Sequence, residues 1–454
     1  MPQQLLFLEF NEINFEGIEY YCKQGALPNL NRLIADHGWT KTLSEQRYEE
    51  LEPWIQWVTA HTGKTLAEHG VFRLGDITKH DLPQIWERLE EHGLRVGAIS
   101  PMNAKHRLRA AAFFVPDPWT RTELTARPRL RGLYDAVVQA VNDNAEARLT
   151  VRSLQKLVLG MLDYARVANY AWYARLAATA IAAPWRKAIL LDVLLADVFL
   201  AEVARTAPHF ATLFLNAGAH IQHHYLFSAA CYSGKSSNPE WYLRPGRDPV
   251  REVYQAYDRI LGSVRRAFPG ARLMIATGLH QEPHGRVTYY WRLRRHNEFL
   301  KRIGIAFQRV EPRMSRDFLI VCASQSQAAE AGRRLAAAKS SDGVPLFEVD
   351  NRGSDLFVML TYPGEISGSL HFFIDDQPYQ LAERDVAFVA LKNGEHNGVG
   401  YFVDSGQSFQ RGSDAKAFAL AEIPNRVFDA LGITSGVATA NQAVDTDGSA
   451  AVMT

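Results

Sequence analysis

The chain has 454 residues, more than one hydrophobic core usually supports, so we expect one large domain with an insertion, or two domains. Its 50 Lys and Arg residues almost cancel its 49 Asp and Glu residues, which argues against a general affinity for nucleic acid or an anionic membrane. Any anionic ligand must be held by a local group of cations. Three cysteines without CxxC spacing, and an N-terminus that resembles a strand more than a secretion signal, predict a cytoplasmic protein.

Short apolar runs bounded by turn residues recur along the chain and predict buried strands. Helical patterns lie between many of them, and one begins near Pro28 and ends at Gly38. This alternation predicts an α/β fold with a largely parallel central sheet and helices on both faces, in which ligands bind beyond the carboxyl ends of the strands. The predicted strands are residues 5–10, 96–100, 211–215, 273–276, 318–321, 356–360, 387–391 and 400–403.

The alternation stops between about residues 120 and 205, where long helical periodicity predicts a helical insertion or cap. Residues 168–185 within it are almost uncharged, but Arg175 and the many alanines favour a buried or partner-facing helix over a membrane span. We therefore predict an α/β domain over residues 1–434 that contains this insertion. Residues 435–454 are small and polar, and predict a flexible tail.

The stretch NAGAHIQHH follows a predicted strand and holds three histidines. If a helix begins there, His220, His223 and His224 stand at i, i+3 and i+4, a spacing suited to holding a metal ion. The alternative is that these histidines only make local hydrogen bonds.

Three further loops place polar residues at the ends of predicted strands. Asn11 and Glu12 follow the first strand, His280 follows a Thr-Gly turn, and His396 precedes the strand that begins near Gly400. Each loop alone is a weak signal, because strand ends commonly carry polar residues. Their order along the chain makes the combination more specific.

That order resembles the type I phosphodiesterase and nucleotide pyrophosphatase branch of the alkaline phosphatase superfamily. The resemblance spans most of residues 5–433. The motifs that carry it are Leu27-Pro28-Asn29-Leu30, Thr62-Gly63, Glu68-His69-Gly70, His223 within NAGAHIQHH, Thr277-Gly278, His396 ahead of Gly400-Tyr401-Phe402, and a closing helix around Pro424-Asn425-Arg426.

The chain departs from the family at most positions that the resemblance marks as functional. Asn11, Ala219 and Thr277 stand where the family has metal-binding Asp residues, Gly278 stands at a ligand His, and Pro53 stands at the nucleophile. Two dications close together repel strongly, and the family offsets that repulsion with the charges lost here. The resemblance therefore implies no covalent phospho-enzyme and no dinuclear centre.

A single divalent ion, zinc or manganese, is the metal content that remains compatible with the sequence. His223 and His396 are the predicted ligands, together with Asn11, and His220 and His280 are alternatives for the third position.

The catalytic candidates are four polar side chains at the expected mouth of the site: Glu12, Glu52, His220 and His280. For substrate binding, Trp291, Arg292 and Arg295 lie in an aromatic and basic stretch that suits phosphate or sulfate oxygens, although such stretches are often ordinary charged surfaces.

The resulting hypothesis is a hydrolase or transferase for a phosphate or sulfate ester of a nucleotide or sugar, such as a sugar nucleotide, with no nucleic-acid partner. An inactive relative that binds a ligand through the old pocket is the alternative, and a new group-transfer chemistry on the same scaffold also stays open.

Overall fold

The computed structural model describes residues 3–142, 151–313, 316–409 and 416–433, and the predicted tail at residues 435–454 lies outside them. The helices are α1 (Phe15–Lys23), α2 (Pro28–His37), α3 (Pro53–Thr62), α4 (Leu66–His69), α5 (Ile85–Glu91), α6 (Pro128–Asn142), α7 (Val151–Tyr164), α8 (Tyr170–Thr179), α9 (Arg186–Thr206), α10 (Ala217–Tyr225), α11 (Pro249–Ala267), α12 (His296–Arg302), α13 (Gln325–Ala336) and α14 (Ile423–Ala430).

The strands are β1 (Leu5–Phe10), β2 (Thr40–Leu43), β3 (Val96–Ile99), β4 (Phe113–Val115), β5 (Phe210–Leu215), β6 (Arg272–Ala276), β7 (His280–Leu293), β8 (Arg309–Pro312), β9 (Asp317–Val321), β10 (Lys339–Ser340), β11 (Phe347–Asn351), β12 (Asp355–Leu360), β13 (Ser369–Ile374), β14 (Gln377–Ala382), β15 (Val386–Asn397), β16 (Val399–Asp404) and β17 (Phe418–Ala419).

The central sheet has eight strands in the order β17-β2-β16-β6-β1-β5-β3-β4. Only β16 runs opposite to the others, since it pairs antiparallel with both β2 and β6. The predicted α/β fold with a largely parallel sheet is therefore confirmed. Strands β6, β1 and β5 are neighbours, so their carboxyl ends meet at one point on the sheet edge.

Strand β1 contributes to a hydrophobic core on each face of the sheet, because successive side chains in a strand point to opposite sides. Leu6, Leu8 and Phe10 pack in the core that also holds α2, α9 and α11. Leu5 and Phe7 pack in the core that holds α3, α5 and α14. All six residues of β1 are buried, which explains why five of them are apolar, and the sixth, Glu9, is paired with His61.

Residues 280–397 form a second module with its own hydrophobic core. It contains a four-stranded sheet (β11-β12-β9-β8), a three-stranded sheet (β10-β13-β14) and a long two-stranded ribbon of β7 and β15. The predicted strands at residues 318–321, 356–360 and 387–391 exist, but they pair antiparallel here and not in the parallel sheet. Apolar periodicity alone does not distinguish these two environments, which is why the sequence did not indicate this module.

Helices α6 to α9 occupy most of the predicted insertion between β4 and β5. The weakly charged stretch at residues 168–185 contains only the ten-residue helix α8. Asp197 of α9 accepts hydrogen bonds from Asn169, from Tyr173 and from the Arg166 backbone, so α8 is held against α9. Within the described residues, no helix combines the length and apolar content needed to cross a bilayer.

Candidate functional site

The site lies where β1, β5 and β6 end. Asn11 and Glu12 follow β1, Asn216 follows β5, and Thr277 follows β6. The Asn11 N–H donates to the Leu215 carbonyl and the Glu12 N–H donates to the Thr277 carbonyl, both at 3.1 Å. The loop after β1 is thus tied to the two neighbouring strands, and the sheet fixes the position of Glu12.

Glu12 has a left-handed backbone conformation, with a φ of 59°. Residues with a Cβ adopt this conformation at a cost, and such residues are concentrated at functional sites. The side chain of Gln222 stabilises this conformation, because its amide nitrogen donates to the Glu12 backbone carbonyl at 2.8 Å. Its side-chain oxygen, Oε1, accepts from the Tyr254 hydroxyl at 2.7 Å. This turn directs the Glu12 carboxylate towards helix α10 and the end of β15.

Helix α10 carries His223, and a side chain of another helix caps its N-terminus. Asn216, at the helix start, makes no side-chain capping bond. Instead the buried Asp192 of α9 accepts from the Ala217 N–H at 2.8 Å and from the Tyr257 hydroxyl at 2.7 Å. The helical insertion therefore supports the helix that presents His223.

Glu12, His223 and His396 converge on one point. The Glu12 Oε2 atom lies 3.1 Å from the Nε2 of His223 and 3.1 Å from the Nε2 of His396, and the two Nε2 atoms are 3.2 Å apart. A tetrahedral ion with bonds of about 2.0–2.1 Å separates its ligand atoms by about 3.3–3.4 Å. The three atoms are thus spaced like one face of a tetrahedral metal site, and this group could hold an ion.

Neighbouring side chains orient the Glu12 carboxylate. Asn11 Nδ2 donates to Glu12 Oε1 at 3.1 Å, and Gln281 Nε2 donates to Oε2 at 2.5 Å. Burial favours the neutral acid, but the adjacent His396 and His223 outweigh it and hold the pKa of Glu12 well below its usual range. Burial likewise favours neutral His396, yet Glu12 raises the pKa of His396 above its ordinary value. The carboxylate is therefore ionised, as a metal ligand must be.

Glu52 lies beside the triangle, at the residue before α3 begins. Its Oε2 is 3.9 Å from Nδ1 of His396. Desolvation raises the pKa of Glu52 to about 7, although His396 opposes the rise. A carboxyl that titrates near neutral pH can both accept and donate a proton.

Asn11, a predicted metal ligand, is used differently in the structure. Its carbonyl oxygen accepts from the indole N–H of Trp57 at 2.7 Å, and its amide nitrogen donates to Glu12 and to Asn216. Asn11 therefore positions Glu12, and the carboxylate in the triangle comes from the next residue.

The three histidines of NAGAHIQHH lie on a helix, as predicted, but only His223 reaches the triangle. The His224 ring lies 3.1 Å from the Leu391 carbonyl through Nδ1, and the ring of the exposed His220 meets the His224 ring edge to face. His280 lies 2.6 Å from the Val399 carbonyl through Nδ1 and does not join the triangle. Its neighbour in β7, Gln281, points to the opposite face and reaches Glu12.

The predicted substrate-binding residues lie in the second module. Trp291 is buried in its core, and its indole N–H donates to the Gly364 carbonyl at 2.8 Å. Arg295 pairs with Glu298 at the start of α12, and Arg292 lies on β7 opposite Ala387. The structure does not bring these three residues to the triangle, because the extended ribbon carries them away from its Gln281 end.

Four further positions at which the sequence resemblance implies a replaced functional residue carry no carboxylate or imidazole: Pro53, Ala219, Thr277 and Gly278. Pro53 is the first residue of α3, and Ala219 is buried in α10. Gly278 has a φ of 72°, and an added Cβ would lie 3.2 Å from Trp57. Thr277 accepts a hydrogen bond from the Tyr401 N–H at 2.8 Å. These residues do not fit a second metal ion, whereas the triangle fits one.

Several residues at the site were not indicated by the sequence. Lys392 and Tyr48 form a hydrogen bond at 3.2 Å, and the guanidinium of Arg316 lies 4.1 Å from the ring centre of Tyr290. The charge of Arg316 lowers the pKa of Glu52, and the charge of Glu52 raises the pKa of Lys392. No motif indicated them, because Arg316, just before β9, and Lys392, on β15, are far apart in the sequence.

No protein-family model and no curated protein sequence matches the chain. Among solved structures it is similar to phosphonoacetate hydrolase from Sinorhizobium meliloti 1021, with 11% identity over 96% of each chain and a TM-score of 0.44. It is also similar to murine ectonucleotide pyrophosphatase/phosphodiesterase 5, with 9% identity over 95% of this chain and 96% of that one and a TM-score of 0.46. Alkaline phosphatase PafA has 11% identity over the same shares, with a TM-score of 0.45.

These proteins are members of the alkaline phosphatase superfamily, the family that the sequence motifs resemble.

Proposed function

We propose that this protein hydrolyses a phosphate or sulfate ester of a small molecule, with one divalent metal ion held by Glu12, His223 and His396. The observation that carries the proposal is the triangle of ligand atoms with sides of 3.1, 3.1 and 3.2 Å. Two imidazoles and a carboxylate suit zinc and other transition ions. When bound, the ion would act as a Lewis acid and make a hydrolytic water more acidic.

The residues around the triangle support direct attack by water on the ester. Pro53 has no hydroxyl that could form a covalent intermediate. Glu52, 3.9 Å from His396, is a further carboxyl beside the triangle and would accept the proton of the attacking water or donate one to the leaving alcohol. Asn11 and Gln281 hold Glu12 in place during these steps. The alcohol is proposed to be a nucleotide or sugar, for which Tyr48 offers a half-exposed ring.

Metal content is the first test. We expect about one equivalent of zinc or manganese in protein purified without chelator, measured by elemental analysis. The variants His223→Ala and His396→Ala should each lose the metal, because each removes one of three ligands. His220→Ala is the matched control, since His220 lies on the same helix outside the triangle. Equal metal in the parent and in both ligand variants, or none in any, would rule out this site.

Turnover is the second test. Chromogenic phosphate monoesters, phosphate diesters and sulfate esters should be assayed with the metal-loaded protein, and activity should fall with Glu52→Gln while the metal is retained. The alternative function is a ligand-binding protein without catalysis, which the missing hydroxyl at Pro53 favours. That alternative predicts thermal stabilisation by an ester ligand without turnover of any of the three ester classes.

A further inference from the structure

Two cations of the second module face the site. Lys392 lies on β15, the strand that also carries His396, and its Nζ is 3.2 Å from the Tyr48 hydroxyl. The guanidinium of Arg316 stacks on Tyr290 at 4.1 Å, and the Tyr290 ring lies 6.5 Å from the ring of His224. We call Lys392 and Arg316 the cationic wall.

The charges of the cationic wall are only weakly neutralised by the protein. Arg316 has no carboxylate within ion-pairing distance in the part of the chain that the structure describes. Lys392 lies 3.9 Å from Glu395, but Glu395 has a closer partner in His284, at 2.7 Å. The pKa of Lys392 lies below its ordinary value, because burial and the nearby Arg316 lower it by more than Glu395 and Glu52 raise it. Two partly buried like charges in one place are unfavourable unless a ligand compensates them.

We propose that Arg316 and Lys392 bind the oxyanion of the substrate, so that the protein selects phosphate monoester dianions over diester monoanions. Arg presents a planar fork of donors that matches two phosphate oxygens, and Lys adds a point charge. Glu52 connects the wall to the triangle, because it lies 3.9 Å from His396 and interacts with the charge of Arg316. An ester at the triangle can therefore present its free oxygens to the wall.

Charge balance favours the dianion. The divalent ion and the two cations of the wall supply four positive charges, whereas the carboxyl groups of Glu12 and Glu52 beside the triangle supply at most two negative charges. Glu395 is paired with His284. A monoanion would leave more of the positive charge uncompensated in a half-buried site than a dianion would.

The inference is a refinement of the proposed function, and it is tested by binding so that the two can fail separately. Inorganic phosphate and dimethyl phosphate would be titrated calorimetrically, at about pH 8, into metal-loaded protein and into protein stripped by a chelator. The variants are Arg316→Gln and Lys392→Gln. Arg309→Gln is the control, since Arg309 is an exposed residue of the same module whose partner is Glu311.

We expect phosphate to bind the parent at least about tenfold more tightly than dimethyl phosphate. Each wall variant should weaken phosphate binding about tenfold or more, as expected for the loss of a hydrogen bond to a charged group, with the metal content and Arg309→Gln unchanged. If the parent protein holds no metal and the wall variants still lose phosphate binding, the result would support the cationic wall and contradict the metal site. Equal phosphate binding by the parent and both wall variants, or equal binding of both anions, would overturn the proposal.

Discussion

The Asp192 carboxylate accepts a hydrogen bond from the Ala217 backbone N–H at 2.8 Å, so α9 caps the helix that presents His223. The same carboxylate accepts from the Tyr257 hydroxyl, whose oxygen accepts in turn from the Gly218 N–H at 2.9 Å. A helix begins with backbone N–H groups that lack partners inside the helix, and a buried helix start must satisfy them from elsewhere. Here a residue of the insertion does so, which makes the site dependent on the insertion.

Asp192→Ala should therefore affect both stability and metal binding. We expect the free energy of unfolding to fall by about 1–3 kcal/mol, because the variant leaves buried donors without an acceptor. Metal affinity should fall as well, since α10 is no longer fixed. Urea unfolding and metal titration would measure the two effects. Asp135→Ala, which removes an exposed partner of Lys156, should change neither. A normal metal affinity in Asp192→Ala would contradict this role.

Asp192 should also make stability depend on pH. Burial raises the pKa of Asp192 to about 6, above its value in the unfolded chain. The folded state therefore favours the protonated acid, and this contribution is complete below about pH 4 and is lost as pH rises through 6. Relative to Asp192→Asn, the wild type should lose about 3 kcal/mol at most between about pH 4 and 7. A difference between the two proteins that stays constant with pH would refute this.

Gly394→Ala tests the support of Glu12 without replacing any of the three proposed ligands. An added Cβ at Gly394 would lie 2.0 Å from the Gln281 side-chain oxygen and 3.1 Å from the Gln222 carbonyl. Gln281 must then move, and its hydrogen bond to Glu12 weakens. Metal affinity should fall about tenfold or more, as for other residues that orient ligands. Gly285→Ala, on the same ribbon with open space around it, should bind metal normally.

Glu9 and His61 form a fully buried pair on the other face of the sheet, with Glu9 Oε2 3.2 Å from His61 Nε2. Thr212 also donates to Glu9. Glu9→Ala leaves a buried polar ring without its partner and should cost about 3–5 kcal/mol of unfolding free energy. Metal content should not change in the protein that remains folded, which elemental analysis of the soluble fraction would check. A loss of less than about 1 kcal/mol would mean that the pair is not stabilising the core.

The sequence predicted the parts of the fold that depend on local patterns. Every predicted apolar run is a strand, and the helix near Pro28 ends at His37 with Gly38 as its cap. The second module was missed, because a run such as residues 356–360 has the same composition in an antiparallel sheet as in a parallel one. The helical insertion was predicted because strand-like apolar runs stop alternating with helical patterns in that part of the sequence.

The roles assigned to the site residues stay predictions, but the structure shows which of them lie together. His223 and His396, predicted as metal ligands, are neighbours, and the carboxylate of Glu12, predicted to be catalytic, lies beside them in the triangle. The position of the Glu12 carboxylate between the two histidines could not be predicted from sequence, because it depends on the left-handed backbone conformation of Glu12. The cationic wall depends on how the second module folds back over α10, which no short motif encodes.

The ribbon of β7 and β15 allows the second module to diverge in evolution independently of the central sheet. Its strands pair His280 with Asn397 at one end and Leu293 with Val386 at the other, so the chain leaves and re-enters the parallel sheet at adjacent points. Sequence changes beyond the ribbon, including insertions, can therefore accumulate while the ends of β6 and β16 keep their positions. Selection could thus exchange Arg316 and remodel the ligand preference while His396, on the ribbon itself, is inherited unchanged.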